Sequence, residues 1–162
     1  MRLRVEDFKL LSNLGIDTNI LRQYQILCLP ENIGNHSEDL DLVDSGESIT
    51  LSKLLKEQSI KCANSYDIGL NTKVSERRGL DLWLGFIWIC DKAVLPIFIS
   101  VVGRLLADQL SKQLKSYQES KGTEDTKVHA TLKVVDGKLS AEVKYIGDAD
   151  TFLKVLKGIN DE

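Results

Sequence analysis

Two alternating runs, KVHATLKVV (127–135) and KLSAEVKYI (138–146), flank Asp136-Gly137. Asp-Gly between two period-two runs predicts a β-hairpin closed by a two-residue turn. Pairing Val135 with Lys138 sets Val134 opposite Leu139, Leu132 opposite Ala141, Ala130 opposite Val143 and Val128 opposite Tyr145. These eight residues then share one face, while His129, Thr131, Lys133, Ser140, Glu142 and Lys144 share the other. A lone hairpin with such an apolar face is marginal in water, so something must pack against it. A final helix is available: Asp148 or Asp150 caps it, and Phe152, Leu153, Leu156 and Ile159 form its apolar side. The chain therefore ends as a ββα unit over 121–162.

The second constraint is DLWLGFIWICDKAVLPIFISVVGRLLADQL (81–110), in which only Asp91, Lys92 and Arg104 are ionisable between Leu82 and Ala107. A bilayer span needs about 20 largely apolar residues. About a dozen apolar side chains gain roughly 0.3–0.6 kcal/mol each on an insertion scale, and Asp91 with Lys92 costs about 5–7, so spanning is not favoured. Asp91-Lys92 instead predicts a break between two helices, with Asp91 capping the second. From Pro96 to about Glu119 the pattern is helical, with Val102, Leu106, Leu110, Leu114 and Tyr117 in one stripe. Up to Leu106 the opposite face is apolar as well (Phe98, Val101, Leu105), so the N-terminal end of this helix is expected to be enclosed. Residues 81–120 thus read as an apolar helical hairpin running into an amphipathic helix.

The N-terminal half, 1–80, reads as βαβ-like. VEDFKLLSNL (5–14) has helical spacing before Gly15, and QILCLP is either a buried strand or a helix end. LDLVD (40–44) predicts a strand, TLSKLLKEQS a helix with Leu51, Leu54 and Leu55 inward, and IKCANSYDI (60–68) a second strand. GLNTKVSERRG (69–79) is a polar loop. The fold class is α/β or α+β, and at 162 residues the three segments fit one compact domain.

Composition narrows the function classes. A net charge of -3 gives no general attraction to nucleic acid, which is therefore not an expected partner. Cys28, Cys62 and Cys90 sit in apolar settings with no CxxC or Cys/His cluster, which suggests reduced, buried thiols and a cytoplasmic protein. No cofactor or nucleotide motif is present, and no cofactor or metal is expected. Asp136 with Glu142-x-Lys144 has the outline of a PD-(D/E)xK nuclease, but Asp136 belongs to the turn and charged residues are ordinary on a solvated strand face. The acidic group Glu38, Asp39, Asp41, Asp44 and Glu47 lacks the order of a calcium loop and reads as a solvated edge. His36 and His129 have no neighbouring nucleophile to activate.

Three functions remain. The first is a non-catalytic interaction or assembly subunit, with a protein partner or a second copy, presenting apolar surface from 82–106 and anchored by Trp83, Phe86, Trp88 and Phe98. The second is a peripheral membrane protein inserting the same segment shallowly. The third is a small ligand-binding protein or enzyme using the loop after the second strand, where Asp67, Asn71, Lys73, Glu76, Arg77 and Arg78 gather and the paired arginines suit an anion.

Overall fold

In a computed structural model, the structure describes residues 15–17, 19, 22–33, 41–75, 81–120, 127–136 and 139–161. The helix expected over 5–14 lies outside them. The elements run β1 (Ile26–Leu29), β2 (Leu42–Ser45), α1 (Gly46–Glu57), β3 (Cys62–Ala63), β4 (Thr72–Ser75), β5 (Leu82–Ile89), α2 (Leu95–Ser120), β6 (Lys127–Asp136), β7 (Leu139–Asp148) and α3 (Ala149–Asn160). The fold is mixed α/β with a ββα ending. A five-stranded sheet has the order β3-β1-β5-β6-β7, and β2 and β4 form a separate two-stranded sheet.

The first arm of the expected helical hairpin is a strand. Leu82–Ile89 is β5, at the centre of the large sheet, antiparallel to β1 and parallel to β6. Its β-branched and aromatic residues are buried on both faces, so the run is almost continuously apolar and carries no period that separates strand from helix. The break at Asp91-Lys92 stands, but between a strand and a helix, and Asp91 caps the short turn ahead of α2. Asp91 Oδ1 accepts from Ala93 N at 3.0 Å to start a short 3-10 turn (Lys92–Val94) that leads into α2. Asp91 Oδ2 also accepts from Gln25 Nε2 at 3.2 Å, which ties the end of β5 to the start of β1.

β5 contains an irregularity that decides which face each side chain meets. Register with β6 shifts between Trp83 and Gly85. Gly85 has φ +75°, and a Cβ there would lie 3.0 Å from the Leu29 carbonyl oxygen. Only glycine meets both conditions without strain. Consequently Leu82, Leu84, Ile87 and Ile89 face one side of the sheet, and Phe86 and Trp88 face the other.

All three helices pack on the first side. Leu51 and Leu55 of α1, Phe98, Val101, Val102, Leu105 and Leu106 of α2, and Phe152, Leu156 and Ile159 of α3 meet Val128, Ala130, Leu132 and Val134 of β6 there. The start of α2 is enclosed, as its two apolar faces predict. On the second side Phe86 and Trp88 pack with Leu27, Leu29, Ile33, Leu42, Ala63 and Val135. This second cluster covers the β1–β5 half of the sheet.

The βαβ expectation is corrected in its pairing. β3 pairs parallel with β1 in the large sheet, whereas β2 pairs parallel with β4 (Leu42↔Thr72 to Ser45↔Ser75). β4 falls inside the stretch read as a polar loop, because TKVS carries too little apolar alternation to signal a strand. Buried Asp44 holds this small sheet together. Its carboxylate accepts from Ser65 Oγ at 2.8 Å and Thr72 Oγ1 at 2.7 Å. A buried carboxylate is tolerable only with such donors.

The C-terminal hairpin forms with the expected face and a different register. Asp136 pairs with Leu139, so Val134 lies opposite Ala141, Leu132 opposite Val143, Ala130 opposite Tyr145 and Val128 opposite Gly147. Each partner is displaced by two residues, and a shift of two preserves the face of every side chain. Asp136, expected in the turn, is instead the last residue of β6, and Gly137 and Lys138 lie outside the described residues. Asp148 is the cap of α3: its Oδ2 accepts from Thr151 N at 3.0 Å.

Candidate functional site

Among the described residues the small sheet does not cover the β6–β7 half of the second sheet face, and a cleft of about 390 Å³ lies there. Trp83, Gly85, His129, Thr131, Lys144 and Ile146 line it, with Glu31 and Asn32 on the far wall. Trp83 and His129 are register partners on β5 and β6, and their rings stack at 3.7 Å between centroids with planes 4° apart. His129 Nε2 lies 2.9 Å from Asp81 Oδ2, and Asp81 Oδ1 accepts from Lys127 N at 3.2 Å. Asp81 therefore clasps the start of β6 to the start of β5 and fixes the imidazole. Desolvation pushes the Asp81 carboxyl up, but the His129 ring and the Lys127 N–H outweigh it and hold the group below the ordinary carboxylate range. The Trp83 carbonyl is in turn held by the Ser45 hydroxyl, whose oxygen also caps α1 by accepting from Ser48 N.

The outer rim of the cleft is β7, the last strand of the large sheet among the described residues. Glu142, Lys144 and Ile146 alternate along it, and Ile146 is 62% exposed. Neither Glu142 nor Lys144 has an ion-pair partner among the described residues. In a two-residue hairpin the pair flanking the loop, here Asp136 and Leu139, exchanges both backbone hydrogen bonds. Alternation then turns the N–H and C=O groups of 141, 143 and 145 toward β6. Those of 140, 142, 144 and 146 point outward, away from the sheet.

The residues expected to anchor a partner are mostly core. Phe98 is 0% exposed, Trp88 1% and Phe86 7%, and Phe98 lies on the opposite side of the sheet from the other two. Most of the apolar surface over 82–106 is thus buried inside the protomer, because β5 is covered on both faces and α2 covers one of them, while Ile97 stays 40% exposed. Of the side chains on which shallow membrane insertion relied, Trp88 is enclosed and Trp83 is half-buried beside the cleft, while Arg77 and Arg78 lie outside the described residues. No helix among the described residues is long and apolar enough to cross a membrane. Trp83 alone of the four reaches a cleft.

The loop candidates are dispersed. Asp67 turns inward to its own segment, accepting from Asn64 N at 2.9 Å and pairing with Lys56 Nζ at 2.6 Å. Partial desolvation raises its carboxyl, yet the Lys56 ammonium and the Asn64 N–H bring it below the usual range. Lys73 projects from β4 and pairs with Asp41 at 2.7 Å, and Asn71 immediately precedes that strand. Glu76, Arg77 and Arg78 lie outside the described residues. Asp81, His129 and the bulge at Gly85 were not singled out as site residues from the sequence. A glycine inside an apolar run was the one available signal, since it marks a bulge or a close backbone approach.

No protein-family model, curated protein or solved structure matches the chain.

Proposed function

We propose that the protein is a non-catalytic interaction subunit that receives a partner's strand along β7. The observation that carries this reading is the edge itself: ten residues, Leu139–Asp148, with one backbone row unpaired among the described residues. Open edges are usually blunted by being short, bulged, interrupted by proline or charged. β7 is long, has no register shift against β6 and no proline, and its mid-strand charges are one acid and one base, Glu142 and Lys144, which an oppositely charged strand can match. An extended segment added there gains main-chain hydrogen bonds from the outward row, and its alternate side chains fall beside Lys144 and Ile146. Interaction thus remains the leading function, relocated from 82–106 to the rim of the sheet.

Glu142→Pro tests it. The position's N–H points outward, so proline removes a bond to an added strand and none to β6. The particle containing the protein in a detergent-free lysate of the cells that make it is expected to be larger than the 18.2 kDa chain. It should shrink to that size in the variant, with helix and sheet content unchanged by circular dichroism. A particle of unaltered size refutes the reading.

The Trp83–His129 stack favours one second reading, a site for a small planar ligand on that platform. Saturable quenching of Trp83 fluorescence by a panel of planar aromatic acids and amides, abolished in Trp83→Leu, would support it. Absence of saturable quenching across the panel would sink it.

A further inference from the structure

The pattern of charge along β7 says what strand its edge is built to receive. We infer that it is β7 of a second copy of this chain, paired antiparallel about a two-fold axis at Val143. This rests on the proposal that β7 is a strand-addition edge, and it names the partner.

Register decides which residues can face each other. An antiparallel pair forms only when outward-pointing residues on one strand meet outward-pointing residues on the other. For β7 against itself, the two-fold axis must therefore pass through a residue and not between two. Centred on 142, Glu142 meets Glu142; centred on 144, Lys144 meets Lys144. Either arrangement sets like charges directly opposite, which is destabilising. Centred on 145, Lys144 meets Ile146 and Glu142 meets Asp148, again two acids. Centred on 141 or on 146, the strands overlap over only about five residues, 139–143 or 144–148, so neither pairs the length of the edge.

Centred on 143, Glu142 of each copy lies opposite Lys144 of the other, and the symmetry makes this contact twice. The two charges lack ion-pair partners within the protomer among the described residues, and each then acquires one. Exposed Ile146 falls opposite Ser140 and is partly covered, and Val143 meets Val143 on the helix side of the sheet. The contact is isologous, closes as a dimer and removes the open edge of both copies. Two five-stranded sheets become one continuous sheet. Glu142 of one copy then sits beside Lys144 on the outer wall of the other copy's cleft, so dimerisation extends the cleft on its open side.

Charge reversal gives the test, read as the self-association constant of the purified full-length chain by sedimentation across a concentration series. The wild type is expected to form a species of twice 18.2 kDa. Glu142→Lys and Lys144→Glu should each weaken it at least about tenfold, because two attractive cross-strand pairs become repulsive. An equimolar mixture of the two single variants should recover the dimer, since each lysine-only strand then faces a glutamate-only strand. The double variant with both charges exchanged should recover it too. A wild type that stays monomeric, single variants that associate normally, or a mixture that fails to recover would each overturn the inference. A monomeric purified protein alongside a lysate particle that Glu142→Pro dissociates would leave the interaction reading standing with a different partner. A lysate particle indifferent to Glu142→Pro would remove both.

Discussion

Replacing Gly85 with alanine probes the bulge on which the two-sided burial of β5 depends. Gly85 sits at φ +75°, and an added Cβ would lie 3.0 Å from the Leu29 carbonyl oxygen on the neighbouring strand. Placing an L-residue in the left-handed region costs about 1–2 kcal/mol. Forcing a methyl group against fixed backbone adds about 1–3 kcal/mol. Restricting the unfolded chain returns about 0.4–1 kcal/mol in the variant's favour. The net loss is therefore about 3 kcal/mol, out of a total stability on the order of 5–15 kcal/mol. In a domain of this size it lowers Tm by about 6–12 °C. Gly69→Ala is the matched control: its φ is +79°, and nothing lies within 4 Å of the added Cβ. It should lose only about 1 kcal/mol. Urea midpoints of both variants, at unchanged m, measure the difference, which isolates the contact with Leu29. Equal losses in the two would refute the close approach of β1 and β5 at the bulge. A Gly85→Ala variant as stable as wild type would refute the bulge itself.

Other perturbations separate core from surface. Trp88→Asp introduces a charge where the side chain is 1% exposed, and it should abolish folding with a loss above about 4 kcal/mol; a folded but smaller particle would restore Trp88 as a surface anchor. Phe98→Ala should cost about 3–5 kcal/mol by chemical denaturation, through the cavity left between α2 and the sheet. Asp81 is held below the ordinary carboxylate range, so the folded state binds fewer protons than the unfolded chain around that pH. Its contribution is complete above about pH 4 and is lost as pH falls through the lower folded value. Asp81→Asn should therefore show a shallower acid-induced loss of stability than wild type, with a small loss at neutral pH; parallel acid limbs would refute the clasp. The Cys28 thiol is pushed well above its ordinary value by its contact with Cys62 at 3.8 Å and by complete burial. All three thiols are enclosed, so alkylation at neutral pH should label none in the native protein and three after unfolding, counted by mass.

The ββα ending, the Asp91 break, the Asp148 cap and the enclosed start of α2 were legible because each is written in local signals. Period-two and period-3.6 patterns and capping side chains act within a few residues of one another, so one stretch of chain carries the whole message. The strand β5 was not legible as a strand. Leu82–Ile89 is buried from both sides, and an apolar run without period is equally a helix or a strand until its neighbours are known. β4 was missed for the opposite reason: Val74 is half exposed and the strand is held by pairing with β2 and by Thr72 on Asp44, not by its own pattern.

Local patterns therefore set the hairpin faces, the extent of α2 to within a residue and the supply of apolar surface that had to be covered, but not the start of α1, which begins at Gly46 inside a stretch read as a turn. Tertiary structure decided how that surface was spent. It placed Phe86 and Trp88 on one side of the sheet and Phe98 on the other, so these aromatics became core. It also moved the hairpin by two residues, a change invisible to facial patterning because side-chain direction repeats every two residues. Which strand lies at the end of a sheet is set by long-range pairing, and no local pattern encodes it. The open edge at β7, the Trp83–His129 stack and the Asp81 clasp follow from that pairing, which joins residues more than forty positions apart.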